Sequence, residues 1–330
     1  MEVQMTCAHA SRRFAAAVLA VVVSSSGCSE QLSAPIVDGS VAPDAGERAT
    51  DAGASVDASD SGASSDAAAD ASSMSEDAGP TGRASAGCGP MAADVGVFSG
   101  SLTIAGVERT YLASVPESYD PSTPLPLVFG LHGAGGNASG IRERFALEMP
   151  AAGGAIFVYP QALVSESDGR TRWNEDAGSD DYAFFDRLLA TFEETHCIDR
   201  DRIFVAGFSA GATFAANLGC WRGDVLRAIA PVAPGGRDRA LPLTECVGSV
   251  GVWTGVGTLD SDHQYGSLRV RDHYASANGC ASTRTPTSGE CESYDGCRAD
   301  APVIWCSYEL GHRWPPFGGA AIWAFFDGFE

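Results

Sequence analysis

The chain has 330 residues, a formal net charge of −21 and no lysine, so arginine supplies all 21 of its Lys and Arg charges. Such an acidic chain is not expected to bind nucleic acid or an anionic membrane surface, because both carry negative charge themselves. Its length allows one large domain or two small ones.

The first 27 residues have the pattern of a secretory signal peptide. Arg12 and Arg13 precede an apolar run over residues 14–23, which is short of the ~20 apolar residues that a membrane-spanning helix needs. Gly27 stands directly before Cys28, and this pair resembles the cleavage site of a bacterial lipoprotein signal. We therefore expect export to the cell envelope with Cys28 acylated, and the lipid would be the only membrane contact. Ordinary cleavage and secretion without a lipid is the alternative.

Residues 28–87 consist mainly of alanine, aspartate, serine and glycine, with almost no aromatic side chains. Such a composition buries too little apolar surface to offset the entropy lost on ordering, and its like charges repel one another. We therefore expect a disordered, extended tether with no chemistry of its own. Residues 88–330 have a suitable length for one α/β domain.

Short apolar runs alternate with helical patterns along the predicted domain. Two alternating segments, 97–104 and 109–115, predict an antiparallel pair of strands. The wholly apolar run 127–131 is typical of a buried parallel strand, and 182–195 carries apolar side chains at helical spacing. Further strands are predicted at 155–159, 203–206, 228–233, 250–253 and 303–308, and further helices at 266–277 and 320–329. This alternation predicts an α/β fold, a mostly parallel central sheet with helices on both faces, and sites beyond the carboxyl ends of the strands.

The chain has ten cysteines, and setting aside Cys7 and Cys28 leaves an even number, which predicts disulfides in an exported protein. The segments 289–295 and 302–308 have the pattern of a hairpin that would place Cys291 opposite Cys306. Because on the order of a hundred connectivities are possible, the remaining pairs are hypotheses. They are Cys280 with Cys297, Cys220 with Cys246, and Cys88 with Cys197. Metal binding is the weaker interpretation, since no Cys-x-x-Cys pair occurs and the histidines do not cluster with the cysteines.

The segment Gly207-Phe208-Ser209-Ala210-Gly211 lies between the apolar run 203–206 and an alanine-rich helical pattern. It matches the G-x-S-x-G nucleophile elbow, in which glycines flank a serine on a strained turn. The motif alone arises easily by chance in a chain this rich in glycine. Its position after a strand and before a helix makes Ser209 the candidate nucleophile.

The serine needs a base, and the base needs an acid; in this kind of fold the acid and then the histidine follow the serine along the chain. Asp260 comes soon after the strand that begins at residue 250, so it is the first choice for the acid. Asp262 is the second choice, and an ordinary turn aspartate is the alternative for either.

The predicted base is one of the histidines that follow Ser209. His263 is too close to Asp260 in sequence to span a triad easily, and His273 falls within a predicted helix. His312 follows the strand 303–308 in a loop where glycine and proline restrict the backbone. We therefore predict His312 as the base.

Attack on an ester carbonyl creates an oxyanion that needs two N–H donors. The backbone amide of Ala210, directly after the candidate nucleophile, is one candidate. The other is the amide of Ala134 in the glycine-rich segment that follows the strand 127–131, because glycines let amides turn inward. His132 is expected to be structural, since it precedes the serine instead of following it.

Several short motifs occur together between about residue 97 and the C-terminus. They are His132-Gly133-Ala134-Gly135-Gly136-Asn137, Trp173-Asn174, Asp180-Asp181, Ile198-Asp199-Arg200-Asp201-Arg202, Gly257-Thr258-Leu259-Asp260 and Gly311-His312-Arg313-Trp314-Pro315. Together they resemble secreted esterases that include feruloyl esterases of carbohydrate esterase family 1 and polyhydroxybutyrate depolymerases. The resemblance implies an α/β-hydrolase fold with Ser209 as nucleophile, Asp260 as acid and His312 as base. The chain departs from it at Val256, where members often have histidine, and at Arg313, where a small polar residue is usual.

This resemblance implies a serine esterase that removes feruloyl or acetyl groups from plant cell-wall polysaccharide, with a polyhydroxyalkanoate depolymerase as the alternative. Trp173 and Trp314 are candidates for an apolar wall beside an aromatic acyl group, although a loop tryptophan is as often packed against the core. We expect a monomer that needs no cofactor and no metal ion. An inactive surface binding module or a peptidase on the same scaffold is a weaker hypothesis.

Overall fold

The computed structural model describes residues 83–89, 93–236, 241 and 243–329. The predicted signal peptide, Cys28 and most of the predicted tether lie outside these residues. Contacts with the domain begin before Cys88, within the segment predicted as tether: the Ser85 hydroxyl donates to the carbonyl of His196 at 2.8 Å and accepts from the amide of Ile198 at 2.9 Å.

A ten-stranded sheet forms the centre of the domain, in the order β1-β2-β4-β3-β5-β6-β7-β10-β9-β8. The six strands from β4 to β10 in this order are parallel, and antiparallel strands flank them on both sides. The strands are β1 Gly96–Ile104, β2 Val107–Val115, β3 Leu125–Leu131, β4 Ile156–Pro160, β5 Ile198–Phe208, β6 Ala228–Val232, β7 Gly251–Gly257, β8 Arg284–Pro286, β9 Cys291–Tyr294 and β10 Val303–Tyr308. The predicted α/β fold with a mostly parallel sheet is confirmed.

Helices cover the two faces of this sheet. They are α1 Ala138–Phe145, α2 Glu148–Ala151, α3 Asp180–Thr195, α4 Ala210–Trp221, α5 Gln264–Ala277 and α6 Gly318–Asp327. The sequence did not predict α1, α2 or β8. The apolar face of α1 is short, because only Ala138, Ile141 and Phe145 are buried and polar residues separate them in the sequence. The Asn137 side chain caps the helix by accepting from the amide of Gly140 at 2.8 Å.

The core has one layer on each side of the sheet because successive residues of a strand face opposite ways. Leu127 and Phe129 of β3 pack with α3 and α4, whereas Val128 packs on the other face with α1 and α6. All three side chains are fully buried. Both faces of the parallel strands are therefore covered, as their wholly apolar sequences predict.

A buried ion pair joins β2 to the first turn of α3. The guanidinium of Arg109 bonds to the carboxylate of Asp181, and both side chains are almost fully buried. The other carboxylate oxygen accepts from the amide of Asn174 at 2.6 Å, and the guanidinium lies 4.4 Å from the ring centre of Phe184. The pair thus fixes α3, and the loop before it, against the sheet.

Four disulfides are present among the described residues, and all four pairings considered from the sequence are confirmed. They are Cys88–Cys197, Cys220–Cys246, Cys280–Cys297 and Cys291–Cys306. The predicted hairpin has the expected register, because Cys291 and Cys306 are directly opposite each other in the antiparallel pair β9 and β10. Among the described residues, none of the helices has both the length and the apolar character that crossing a membrane requires.

Candidate active site

Ser209 lies on the turn between β5 and α4, at the centre of the sheet. Its φ of 57° and ψ of −119° place a non-glycine residue in a conformation that costs energy, as expected of a nucleophile elbow. A Cβ on Gly207 would come within 2.2 Å of the Gly211 carbonyl oxygen, and one on Gly211 within 2.3 Å of the Leu131 carbonyl oxygen. Both glycines are therefore required by close backbone contacts.

The structure brings Ser209, His312 and Asp260 into one hydrogen-bonded chain. Ser209 Oγ lies 2.9 Å from His312 Nε2, and His312 Nδ1 lies 2.7 Å from Asp260 Oδ2. Asp260 is 5% exposed. With the ring proton on Nδ1 donated to the carboxylate, Nε2 is free to accept the serine proton, which is the arrangement that activates a serine nucleophile.

The pairing of β7 with β10 explains why Asp260 and His312 meet. These strands are parallel neighbours, so the loops that follow them leave the same edge of the sheet. The Leu259 amide donates to the Leu310 carbonyl at 3.0 Å, and a Cβ on Gly257 would come within 2.1 Å of that same oxygen. Asp260 bonds to His312, whereas the second-choice acid Asp262 is exposed.

His263 is a member of this site that sequence reasoning set aside. Its Nδ1 lies 3.0 Å from Asp260 Oδ1, and its ring stacks on His312 with the ring centres 3.8 Å apart and the planes at 14°. The Asp260 carboxylate is therefore shared between two imidazoles, one on each oxygen. The three-residue spacing from Asp260 to His263 could have indicated this contact, because the two residues belong to the turn before α5, where the His263 amide donates to the Asp260 carbonyl at 3.3 Å.

The surroundings of His312 and Asp260 lower the pKa values of both side chains. Burial lowers the pKa of His312 below its ordinary value, against the hydrogen bond to Asp260, which raises it. Burial alone would raise the pKa of Asp260, but hydrogen bonds from His312 and His263 outweigh it and hold that pKa below the usual range. At neutral pH Asp260 is therefore ionised and His312 is neutral, the protonation states that general-base catalysis by a histidine needs.

The glycine-rich segment after β3 lies against the elbow. A Cβ on Gly133 would come within 3.1 Å of Ser209 Cβ, and Ala134 lines the same cavity as Ser209. Within the described residues the Ala134 amide donates no backbone hydrogen bond. The Ala210 amide is the first of α4, so it has no partner within the helix. Ala134 lines the same cavity as Ser209 and Ala210 directly follows Ser209, so the oxyanion donors suggested by the sequence belong to residues near Ser209.

His132 supports this segment from below. It is 1% exposed, its Nδ1 lies 2.8 Å from the Gly133 carbonyl oxygen, and its Nε2 accepts from the amide of Ala162 at 3.1 Å. Burial lowers its pKa. The two backbone contacts occupy both ring nitrogens, in agreement with the structural role expected for this residue.

Trp173 and Trp314 do not line the cavity beside Ser209. The Trp173 indole is 3% exposed, stacks on Phe214 with ring centres 5.2 Å apart, and donates to the His132 carbonyl at 2.7 Å. The structure therefore corrects its expected place as a wall for substrate, and Trp173 instead holds the glycine-rich segment. Trp314 stacks on Phe145 and lines a neighbouring depression.

Two groups of metal-ligand residue types occur in the described residues, each with donor atoms within 4.8 Å of one another. The first combines His273 with Cys220 and Cys246, whose sulfurs form a disulfide and are not thiolate ligands. The second is Asp260, His263 and His312. Their parallel rings direct both Nδ1 atoms at the carboxylate, which fits two hydrogen bonds better than convergent bonds to one ion.

Comparisons with known proteins place the chain among esterases. No family model matches the chain. Feruloyl esterase C of Emericella nidulans is 32% identical over 239 residues, which cover 66% of this chain and 83% of that protein. A probable feruloyl esterase C of Aspergillus terreus is 31% identical over 265 residues, or 74% of this chain and 91% of that one. The solved structure of an acetyl xylan esterase from Aspergillus awamori shares the fold, with a TM-score of 0.54 at 14% identity over 69% of this chain and 99% of that chain.

The fold, the elbow and these relatives define the chain as a carboxylic ester hydrolase with an α/β-hydrolase fold. It belongs to the feruloyl esterase family.

Proposed function

We propose that the chain hydrolyses feruloyl or acetyl esters on plant cell-wall polysaccharide, with Ser209 as nucleophile, His312 as base and Asp260 as acid. The observation that carries this proposal is the hydrogen-bonded chain of these three side chains, with contacts of 2.9 Å and 2.7 Å. The names of the relatives support the substrate class: they are feruloyl esterases.

In the first half of the reaction, Ser209 Oγ attacks the ester carbonyl carbon while His312 Nε2 takes the hydroxyl proton. The carbonyl oxygen becomes an oxyanion, for which the amides of Ala134 and Ala210 are the donors. The intermediate collapses by breaking the bond to the alcohol oxygen, which receives the proton from His312. The alcohol leaves and the acyl group remains on Ser209.

In the second half, water attacks the acyl carbonyl and gives a proton to His312 Nε2. The second tetrahedral intermediate collapses by breaking the bond to Ser209 Oγ, which takes the proton back. The acid product leaves and ionises in solution. Throughout, Asp260 stays ionised and stabilises the imidazolium form of His312.

The test combines labelling with turnover. A fluorophosphonate should label the wild type within the 207–211 peptide, and Ser209→Ala should lose both labelling and the release of ferulate from methyl ferulate. Label at another residue, or ester turnover retained by Ser209→Ala, would show that the nucleophile is misassigned. Release of hydroxybutyrate from its oligomers without release of ferulate would favour the depolymerase, and a folded protein that turns over neither would favour a binding module.

The proposal extends to export. The four disulfides fit an oxidising compartment, and the Gly27-Cys28 pair fits a lipoprotein signal. Cys28→Ser should move the esterase from the membrane fraction to the medium or periplasm if Cys28 carries the lipid. Equal fractionation of the two proteins would remove the anchor from the proposal and leave the esterase activity untouched.

A further inference from the structure

The cavity beside Ser209 is positively charged although the chain is strongly acidic. It has a volume of about 570 Å³ and contains the side chains of Arg144 and Arg170, and none of its lining residues is an aspartate or glutamate. The chain as a whole has 42 acidic residues against 21 arginines. An anion would therefore be repelled by much of the protein and attracted at this place.

Arg144 is close to the reacting groups. It extends from the end of α1, and its Cζ lies 5.5 Å from the ring centre of Phe208. That ring in turn stacks on His312 with the centres 4.8 Å apart. Besides burial, which is the larger cause, the charge of Arg144 contributes to the lowered pKa of His312, so its field reaches the base.

Arg170 lies over the glycine-rich segment and comes from a different part of the chain. Its Nη2 donates to the Ala134 carbonyl at 3.4 Å, and its Nε lies 3.0 Å from the position that a Cβ on Gly135 would take. The guanidinium thus lies on the glycine-rich segment that contains Ala134, whose amide is a proposed oxyanion donor.

Arg144 and Arg170 differ from the neighbouring arginines Arg142 and Arg172 in their salt bridges. Arg142 bonds to Glu148 and Arg172 bonds to Asp168. Among the described residues, neither Arg144 nor Arg170 has a carboxylate within the 4.0 Å of a salt bridge. Two arginine side chains that form no salt bridge among the described residues thus line one cavity, although, after the hydrogen bond from Arg172, the charge of Arg170 contributes to the lowered pKa of Asp168. Carboxylate is the group that guanidinium binds best.

We propose that the cavity selects esters that carry a carboxylate close to the scissile bond, in the alcohol part, as an acidic sugar residue would supply it, or in the acyl part. The inference rests on the proposed ester hydrolysis at Ser209 and narrows its substrate class. Arg144 and Arg170 bind the carboxylate and hold the ester against the oxyanion donors.

Two pairs of probes test this selection. For the alcohol part the pair is 4-acetoxybenzoate and its uncharged analogue 4-acetoxybenzamide; for the acyl part it is monophenyl succinate and phenyl succinamate. The measured quantity is the ratio of kcat/KM for the charged ester to that for the uncharged one. Comparing this ratio between variants cancels the intrinsic reactivity of each probe and any change in the base.

The variant Arg144→Gln with Arg170→Gln should lower this ratio up to about tenfold in at least one pair, which is about 1.4 kcal/mol for two exposed charge pairs together. The matched control is Arg200→Gln with Arg298→Gln, which also removes two positive charges but outside the cavity, and it should keep the wild-type ratio. High salt should reduce the wild-type ratio by screening the arginines.

An unchanged ratio in both pairs for the double variant would overturn the inference while leaving the ester hydrolysis intact. An equal fall in Arg200→Gln with Arg298→Gln would also overturn it, because the effect would then be one of total charge. Absence of turnover of all four probes and of methyl ferulate by the wild type would instead refute the proposed function itself.

Discussion

The rings of His263 and His312 stack face to face 3.8 Å apart, and their Nδ1 atoms contact different oxygens of the Asp260 carboxylate. His263 has no contact with Ser209 among the hydrogen bonds of the described residues. It contacts the Asp260 carboxylate and covers one face of the His312 ring. We therefore expect His263 to be a positioning residue and not a catalytic one.

His263→Ala should lower kcat about 10- to 100-fold with little change in KM, because a hydrogen bond to a charged group is worth about 1.5–3 kcal/mol. His263→Asn should recover much of this loss, since its side-chain amide can donate from nearly the same place as Nδ1. Steady-state kinetics on an uncharged ester at several pH values gives kcat and KM for both variants. Equal losses in the two variants would indicate that ring packing, and not the hydrogen bond, is what matters.

The acidic limb of the pH profile of kcat/KM should have its midpoint below 6.5, the ordinary histidine value. The base works only when neutral, and burial lowers the pKa of His312, so activity is lost only as the pH falls through this lowered pKa. In Arg144→Gln the midpoint should move up, because a nearby positive charge that disfavours the protonated ring has been removed. A wild-type midpoint above 6.5 would contradict the prediction.

Asp260→Asn should reduce kcat by about 10³ to 10⁴, because an amide cannot stabilise the imidazolium and does not hold the correct tautomer. Asp262→Asn is the matched control, since Asp262 is close in sequence but exposed and not bonded to His312. It should remain near wild-type activity. The reverse order of the two losses would show that the acid has been misassigned.

Trp173→Phe should lower kcat more than it changes KM. The substitution keeps an aromatic ring against Phe214 but removes the 2.7 Å hydrogen bond to the His132 carbonyl, and so loosens the segment that carries the Ala134 amide. Loss of this preorganisation affects the transition state more than the bound ester. A rise in KM alone would instead indicate that Trp173 contacts substrate, as first expected from the sequence.

Arg109→Met should destabilise the protein by about 3–5 kcal/mol in urea unfolding, because it leaves the buried Asp181 carboxylate without its partner. Replacing both residues, as Arg109→Met with Asp181→Leu, should be less destabilising than the single change. If the double variant is the less stable of the two, the hydrogen bond from Asn174 to Asp181 contributes more than the ion pair.

The sequence predicted much of this site because its parts depend on local patterns and on chain order. Strand, G-x-S-x-G and helix follow one another around Ser209, and parallel strands place the loops that carry Asp260 and His312 at one edge. The Cys291–Cys306 pair follows in the same way from a hairpin. Each of these expectations needs only short-range structure and a known topology.

Other features depend on side-chain directions that a sequence does not contain. Nothing in the residues around Trp173 tells whether the indole faces the cavity or lies beneath the glycine-rich segment. Sequence distance suggested that His263 was too close to Asp260, whereas the turn before α5 places its ring on the carboxylate. The burial of Arg109 was weakly indicated by the sequence, because Arg109 is separated from the buried Ala113 and Val115 by an even number of positions along β2 and so lies on the same face of that strand.

The Cys88–Cys197 disulfide and the contacts of Ser85 attach the chain that precedes the domain to the beginning of β5. Ser209 follows the other end of this strand of 11 residues, about 35 Å away at the usual rise per residue. The cavity beside Ser209 thus lies at the opposite end of β5 from the Cys88–Cys197 disulfide. A polymer that reaches Ser209 therefore need not pass the residues that this disulfide fixes.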